Sequence, residues 1–230
     1  MDLLRPEIQP YAWGSRTAIA GLQGRPEASG PEAELWMGAH PSLPSGLDRD
    51  GVPTTLDAVI ASDPEKELGA PIARRFGGRL PFLLKVLAAD KALSIQVHPS
   101  RAQAEAGYAA DPQHQNYVDN WPKPELLYAL TRFEALAGFR DQADLKAFVD
   151  ALGVEELKPI AALPPKEALA AVLNQPELVP EVTTRLAELK DGRYAPAAAA
   201  LSRVATQHPG DTGLVAALLL NYRVLEPGQA

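Results

Sequence analysis

Two short stretches, Ser94-Ile95-Gln96-Val97-His98-Pro99 and Lys123-Pro124-Glu125-Leu126, alternate polar with apolar residues at the period of a β-strand. In the first, Leu93, Ile95 and Val97 fall on one face of the predicted strand, and Ser94, Gln96 and His98 on the other. In the second, Lys123 and Glu125 share a face. Same-face neighbours on a strand are roughly 6.6 to 7 Å apart, so Gln96 and His98, with Glu125 from an adjacent strand, are placed to converge on one metal ion. An amide oxygen, an imidazole nitrogen and a carboxylate form a mixed set that suits Zn²⁺ or a harder divalent ion such as Mn²⁺. Three protein ligands leave room for water, substrate or a further ligand.

Around these stretches, the chain divides by composition. Up to about residue 140, short apolar runs are punctuated at Trp13-Gly14, Pro41-Ser42-Leu43-Pro44-Ser45-Gly46 and Gly77-Gly78, the mark of a β-rich region. Leu80 to Ala88 is a nearly continuous apolar run broken by Lys85, which predicts a buried strand carrying one functional or paired charge. Ser100 is the expected N-cap of a helix through Arg101 to Tyr108, with Gly107 weakening its end. From residue 141 to about 220, Ala and Leu recur at helical spacing. Leu145, Phe148, Val149 and Leu152 lie at i, i+3, i+4 and i+7, with Asp141 or Asp144 near the start and Gly153 at the end. Further helices are predicted over Glu167 to Asn174, Pro180 to Lys190, Pro196 to Gln207 and Asp211 to Leu220. Residues 221–230 return to strand character and a turn.

The 230 residues carry 46% hydrophobic side chains, enough for a sizeable buried core in one or two domains. With 22 basic against 29 acidic residues the formal charge is −7, which argues against nonspecific nucleic-acid binding and leaves an anionic small substrate open if lysines are gathered locally. There is no cysteine, so disulfides and thiolate ligands are excluded. The amino terminus lacks the basic region and apolar core of a signal peptide. The apolar run Leu214 to Leu220 is far shorter than the roughly 20 residues that cross a bilayer. A cytoplasmic protein without a membrane partner is the expectation.

Several separated motifs share one resemblance. Tyr11-Ala12-Trp13-Gly14-Ser15, Pro31 through Glu34-Leu35-Trp36-Met37-Gly38-Ala39-His40-Pro41, Leu80 to Pro99, and Asn116 through Lys123-Pro124-Glu125-Leu126 to Gly138-Phe139-Arg140 resemble, in order and spacing, the type I mannose-6-phosphate isomerases. The resemblance implies an α+β fold, a cupin-like β-sandwich or barrel incomplete in this chain, with an inserted mainly helical domain. Its expected parts are a β-rich catalytic portion over 1–140, a helical domain over 141–220 and a returning strand over 221–230. It also implies a zinc-dependent aldose-ketose isomerase that interconverts mannose 6-phosphate and fructose 6-phosphate through an enediol. The alternative is a non-catalytic metal- or sugar-binding fragment of such a fold.

Carried over by position, the resemblance implies one zinc ion held by Gln96, His98 and Glu125. Trp13, Lys85 and Ser94 are implied to bind the phosphorylated hexose, and Lys123 is the expected proton-transfer group. Lysines suit such roles because they hold sugar or phosphate oxygens as point charges, or transfer protons when desolvated. Trp121-Pro122 stands where many members carry Asn-His, so no role for that histidine transfers. A fourth ligand, a histidine, and a catalytic arginine are expected beyond Leu225-Glu226-Pro227-Gly228, in a carboxy-terminal segment outside this sequence. His40, followed by Pro41, is expected to be a hydrogen-bonded turn histidine, and Trp36 and Met37 to lie in the core.

Overall fold

A computed structural model describes residues 2–230, which form two compact units, one ending at Leu93 and the other spanning Ser94–Ala230. The first contains strands β1 (Glu7–Gln9), β2 (Glu34–Met37), β3 (Gly46–Arg49), β4 (Val52–Thr55) and β5 (Leu84–Leu87), with short helices α1 (Ala18–Leu22), α2 (Leu56–Ser62), α3 (Pro64–Leu68) and α4 (Ala70–Arg75). β1, β2 and β5 form an antiparallel sheet in that order, and β3 pairs with β4.

Strand alternation gives the three-stranded sheet two unlike faces. Ile8, Leu35 and Val86 are in register across it and pack with Ile19 of α1 and Ala88. The next row along, on the opposite face, is Glu7, Trp36 and Lys85. The apolar run 80–88 yields a shorter and less covered strand than its composition predicts: Phe82 and Leu84 are both more than half exposed. Among the described residues β5 has a partner strand only on its β2 side, and an edge strand lacks the second neighbour that would cover it.

The second unit contains α5 (Arg101–Ala110), β6 (Phe133–Phe139), α6 (Gln142–Leu152), α7 (Leu157–Ala161), α8 (Pro165–Leu173), α9 (Leu178–Glu188), α10 (Ala195–Gln207), α11 (Gly213–Ala217) and β7 (Leu220–Leu225). Ser100 caps α5 in a reciprocal box: its Oγ accepts from Gln103 N–H, and its own N–H donates to Gln103 Oε1 at 2.9 Å. The helix runs on past Gly107. A Cβ at that position would lie 2.3 Å from the Tyr117 ring, so this glycine is there to let the ring approach the helix.

α6 begins where its sequence signals place it. Asp141 accepts from Ala143 N–H at 2.8 Å, and Gly153 closes the helix in the left-handed conformation at φ 69°. The expected apolar stripe of Leu145, Phe148, Val149 and Leu152 is buried, and it joins residues of α7 to α11 in one core. α11 is shorter than the predicted Asp211 to Leu220 because the backbone passes into β7 at Leu220.

β7 pairs antiparallel with β6, from Phe133 opposite Leu225 to Phe139 opposite Leu220, with an irregularity between Leu136 and Phe139. Asn221 Nδ2 bridges that irregularity by donating to the carbonyls of Gly138 and Phe139. The helical segment is thus an excursion whose two ends meet. Arg140 N–H donates to Leu219 O at 2.7 Å.

Arg140 also fastens this junction through its side chain, which is 6% exposed. Its Nε donates to Leu218 O, its Nη1 to Asp144 Oδ2 at 2.8 Å, and the guanidinium lies 4.6 Å from the Phe148 ring centroid. Tyr194 Oη donates to the other Asp144 oxygen, which Arg193 also reaches. Burial pushes the Asp144 carboxyl upward, but hydrogen bonds from Arg140 and Tyr194 and the charges of Arg140 and Arg193 outweigh it and hold the group below the usual carboxylate range. Among the described residues no helix is long and apolar enough to cross a membrane.

Candidate metal and sugar-phosphate residues

The segments that carry the candidate ligands are placed side by side without a regular ladder. Residues 93–99 and 121–129 have no strand assignment. The alternation that predicts strands here specifies which residues can share a face, but a strand also needs a partner to receive its backbone hydrogen bonds. Two bonds join the segments instead. Lys123 N–H donates to Pro99 O at 3.1 Å, and His98 Nδ1 lies 2.9 Å from Lys123 O.

The second bond fixes the state of the imidazole. A carbonyl oxygen only accepts, so Nδ1 carries the proton and the lone pair of neutral His98 is on Nε2. Metal-binding histidines commonly hand their second N–H to such a carbonyl. Nε2 faces Glu125, whose Oε2 is 3.8 Å away. That is too long for a hydrogen bond and close to the about 3.4 Å that separates two ligands on a tetrahedral ion with bonds of about 2.1 Å. The two side chains are 36% and 46% exposed, so an ion in solution can reach them.

Gln96 and Ser94 are exposed in the same irregular segment. No group of three or more His, Asp or Glu able to hold a metal occurs among the described residues. The donor pair is therefore the neutral His98 imidazole and the Glu125 carboxylate, and an amide such as that of Gln96 is the kind of neutral ligand that would extend it. On these grounds the residues fit a zinc ion.

Lys123 Nζ donates to Asp119 Oδ2 at 2.8 Å, and Asp119 Oδ1 accepts from Trp121 N–H. Asp119 thus shapes the turn that presents Lys123, a role the sequence reading did not assign. Its only sequence signal is a carboxylate four residues before the lysine. Trp121 lies under Arg101, whose guanidinium carbon is 5.2 Å from the ring centroid.

The remaining candidates, Trp13 and Lys85, belong to the first unit. Trp13 stacks against Tyr11 with ring centroids 5.7 Å apart, and its carbonyl accepts from Asp90 and Lys91 N–H. Lys85 Nζ is 3.3 Å from Glu34 Oε1. His40 is tied into its turn as expected: its Nδ1 accepts from Ser42 N–H and lies 2.8 Å from Ser42 Oγ, and its ring sits edge-on to Trp36. A cavity of about 350 Å³ in the second unit, lined by Arg140, Asp144, Arg193, Tyr194, Tyr222 and Arg223 among others, contains none of the predicted site residues.

A mixed helix-and-strand chain with an accessible, backbone-oriented imidazole–carboxylate pair defines a candidate metal-binding α+β protein. The comparisons narrow that class. The family model for the type I phosphomannose isomerase catalytic domain matches residues 1–142. Mannose-6-phosphate isomerases from Shigella flexneri and Escherichia coli are each 38% identical over the whole chain, and the mouse enzyme is 34% identical over 97% of it. Among solved structures, a phosphomannose isomerase variant from Salmonella typhimurium superposes with a TM-score of 0.86 at 32% identity over 99% of this chain. A zinc-bound mannose 6-phosphate isomerase does so with 0.84 at 33% identity over the same share. The chain belongs to the type I phosphomannose isomerase family. It spans 63% of the length of the two bacterial relatives, and 62% of each solved chain.

Proposed function

We propose that this chain carries part of the active site of a zinc-dependent aldose-ketose isomerase acting on mannose 6-phosphate and fructose 6-phosphate in the cytoplasm. The observation that carries the reading is the His98–Glu125 pair, with Nε2 freed for a metal by the bond from Nδ1 to Lys123 O. Residues 1–140 and 221–230 are proposed to belong to one cupin-like β-rich domain interrupted by the helical domain at 141–220.

In this reading His98, Glu125 and Gln96 hold one zinc ion. Bound there, zinc supplies Lewis-acid polarisation of a substrate oxygen. Trp13, Lys85 and Ser94 bind and orient the phosphorylated hexose. Lys123 moves the proton between C1 and C2 by way of the enediol, and to do so its amine must leave Asp119 and shed its own proton. Replacing Lys123 with Arg separates this role from simple charge. A proton-transfer role predicts that K123R loses as much turnover as K123A, about 10²-fold or more, whereas a purely electrostatic role predicts that K123R retains most of it.

A second reading, a metal- or sugar-binding piece without turnover of its own, is favoured by the exposure of Val97 (82%) and Leu126 (85%) close to the ligands in sequence. Exposed large apolar side chains mark a surface that a further segment can cover. The proposed partner is a carboxy-terminal segment supplying a fourth ligand. One experiment decides between the readings: zinc stoichiometry and mannose 6-phosphate conversion, measured for the 230-residue chain with and without the added segment. Conversion by the chain alone supports the isomerase as it stands. Zinc binding with conversion only after addition supports the second reading, and failure to bind zinc in either case defeats both.

A further inference from the structure

Glu34 is the only buried acidic residue among those described, at 6% exposure. The sheet register explains where it points. Lys85 on β5 is directly opposite Trp36 on β2, and Glu34 lies two residues along β2, so all three side chains share one face. Trp36 Nε1 donates to Glu34 Oε2 at 2.7 Å, and Lys85 Nζ approaches Glu34 Oε1 at 3.3 Å. One carboxylate, which can only accept when ionised, therefore serves a donor on each oxygen. The indole fixes its orientation and the ammonium balances its charge. Lys85 keeps 26% of its side chain exposed, so a side chain paired with a buried carboxylate still reaches solvent. The other titratable groups on this face are Glu7, in register with Trp36 on β1 and exposed, and His40, whose ring meets the edge of Trp36.

We propose that Glu34 is a positioning residue for Lys85. It keeps the amine protonated and aimed, so that Lys85 is a fixed cation for the phosphate or hydroxyl oxygens of the sugar and takes no part in proton transfer. The inference rests on the isomerase reading only for the identity of what Lys85 binds. A carboxylate at this distance favours the ammonium form, and in a largely desolvated setting the effect is stronger than at an open surface. Of the two lysine chemistries suggested by the sequence, point charge and proton carrier, the Glu34 contact selects the first for Lys85.

Only a neutral amine is acylated, so limited acetylation of the 230-residue chain at pH 8 with an N-hydroxysuccinimide ester, read lysine by lysine by mass spectrometry, tests the coupling. Lys146 and Lys166, exposed on α6 and α8, serve as internal references. In the parent chain Lys85 is expected to react about tenfold more slowly than the references. Glu34→Gln, which keeps an acceptor for Trp36 but removes the charge, is expected to raise the Lys85 rate at least fivefold and leave the references alone. Glu34→Asp is expected to restore part of the protection. A Lys85 rate within twofold of the parent in folded E34Q overturns the proposal. Should E34Q fail to fold, Trp36→Phe, which frees the carboxylate from its indole anchor, must raise the Lys85 rate at least twofold, and an unchanged rate overturns the proposal equally.

Added mannose 6-phosphate separates this inference from the function. Protection of Lys85 by the sugar in the parent, with no E34Q effect, defeats the positioning role and leaves the isomerase reading standing. A clear E34Q effect without protection by the sugar supports the positioning role and counts against Lys85 as a sugar-phosphate contact.

Discussion

The helical segment and the candidate ligand segments belong to the same unit yet are built on opposite terms. The helices between Gln142 and Ala217 bury a continuous core running from Leu145 to Leu219. The ligand segments are irregular, expose Val97 and Leu126, and are joined by a backbone bond and a histidine side chain. One region is stabilised by removing apolar surface from water, which is insensitive to exact geometry. The other is defined by two directional contacts, which set geometry but add little stability. A site that admits an ion and a sugar, as proposed for these segments, cannot also be closed by packing.

That contrast can be broken most sharply at Phe148, which is fully buried, stacks on Tyr194 and packs against the Arg140 guanidinium. Phe148→Ala is expected to cost about 4 kcal/mol in urea unfolding. A loss below about 1 kcal/mol would mean that the helical core does not govern the stability of its unit. Asp144→Asn ranks next. It leaves the buried Arg140 guanidinium without its charged partner, at a cost of roughly 3 kcal/mol.

Asp144 also gives a pH signature. Its carboxyl is held below the usual range in the folded protein, so its stabilisation is fully present above the unfolded-state value near 3.9 and is lost as pH falls through the lower folded value. Acid unfolding of the D144N variant should therefore show a shallower loss below about pH 4 than the parent. An identical acid profile would remove Asp144 from the groups that govern it.

Gly107→Ala tests a smaller effect with a distinctive sign. Alanine in a helix interior normally gains up to about 1 kcal/mol over glycine, but here the new Cβ meets the Tyr117 ring. A net loss of about 1 kcal/mol or more is expected from the overpacking, and a gain in thermal stability would show that the ring moves aside freely. Smallest in stability, and the sharpest probe of the contrast, is Glu125→Gln. Its effect on unfolding should stay within about 0.5 kcal/mol, while zinc affinity by titration calorimetry should fall by about 100-fold through loss of a charged ligand. Unchanged affinity would remove Glu125 from the ligand set.

Legibility in the sequence follows the same division. Asp141, Gly153 and the Leu145-Phe148-Val149-Leu152 stripe could be read because caps and amphipathic spacing are local, and α6 stands where they put it. Ser100 likewise announces α5. The pairing of Phe133 with Leu225 could not be read, because nothing near either residue names a partner so far along the chain. The strand expected at Leu93 to His98 shows the converse failure. Its alternation is real, but among the described residues no neighbouring strand receives its backbone groups.

By itself the sequence determined the chemical types available for the site, an imidazole, a carboxylate, an amide and several lysines with no thiol. It determined the helical segment too, because helix signals act over a few residues and each turn closes its own hydrogen bonds. Only the tertiary structure decided that His98 offers Nε2 and not Nδ1, since that depends on Lys123 O twenty-five residues away. It alone decided that Lys85 meets a buried carboxylate across the β2–β5 register, and that the helices return to β6 through Arg140. Each of these is a contact between residues far apart in the chain, and the orientation of a polar group is set by the partner it finds there.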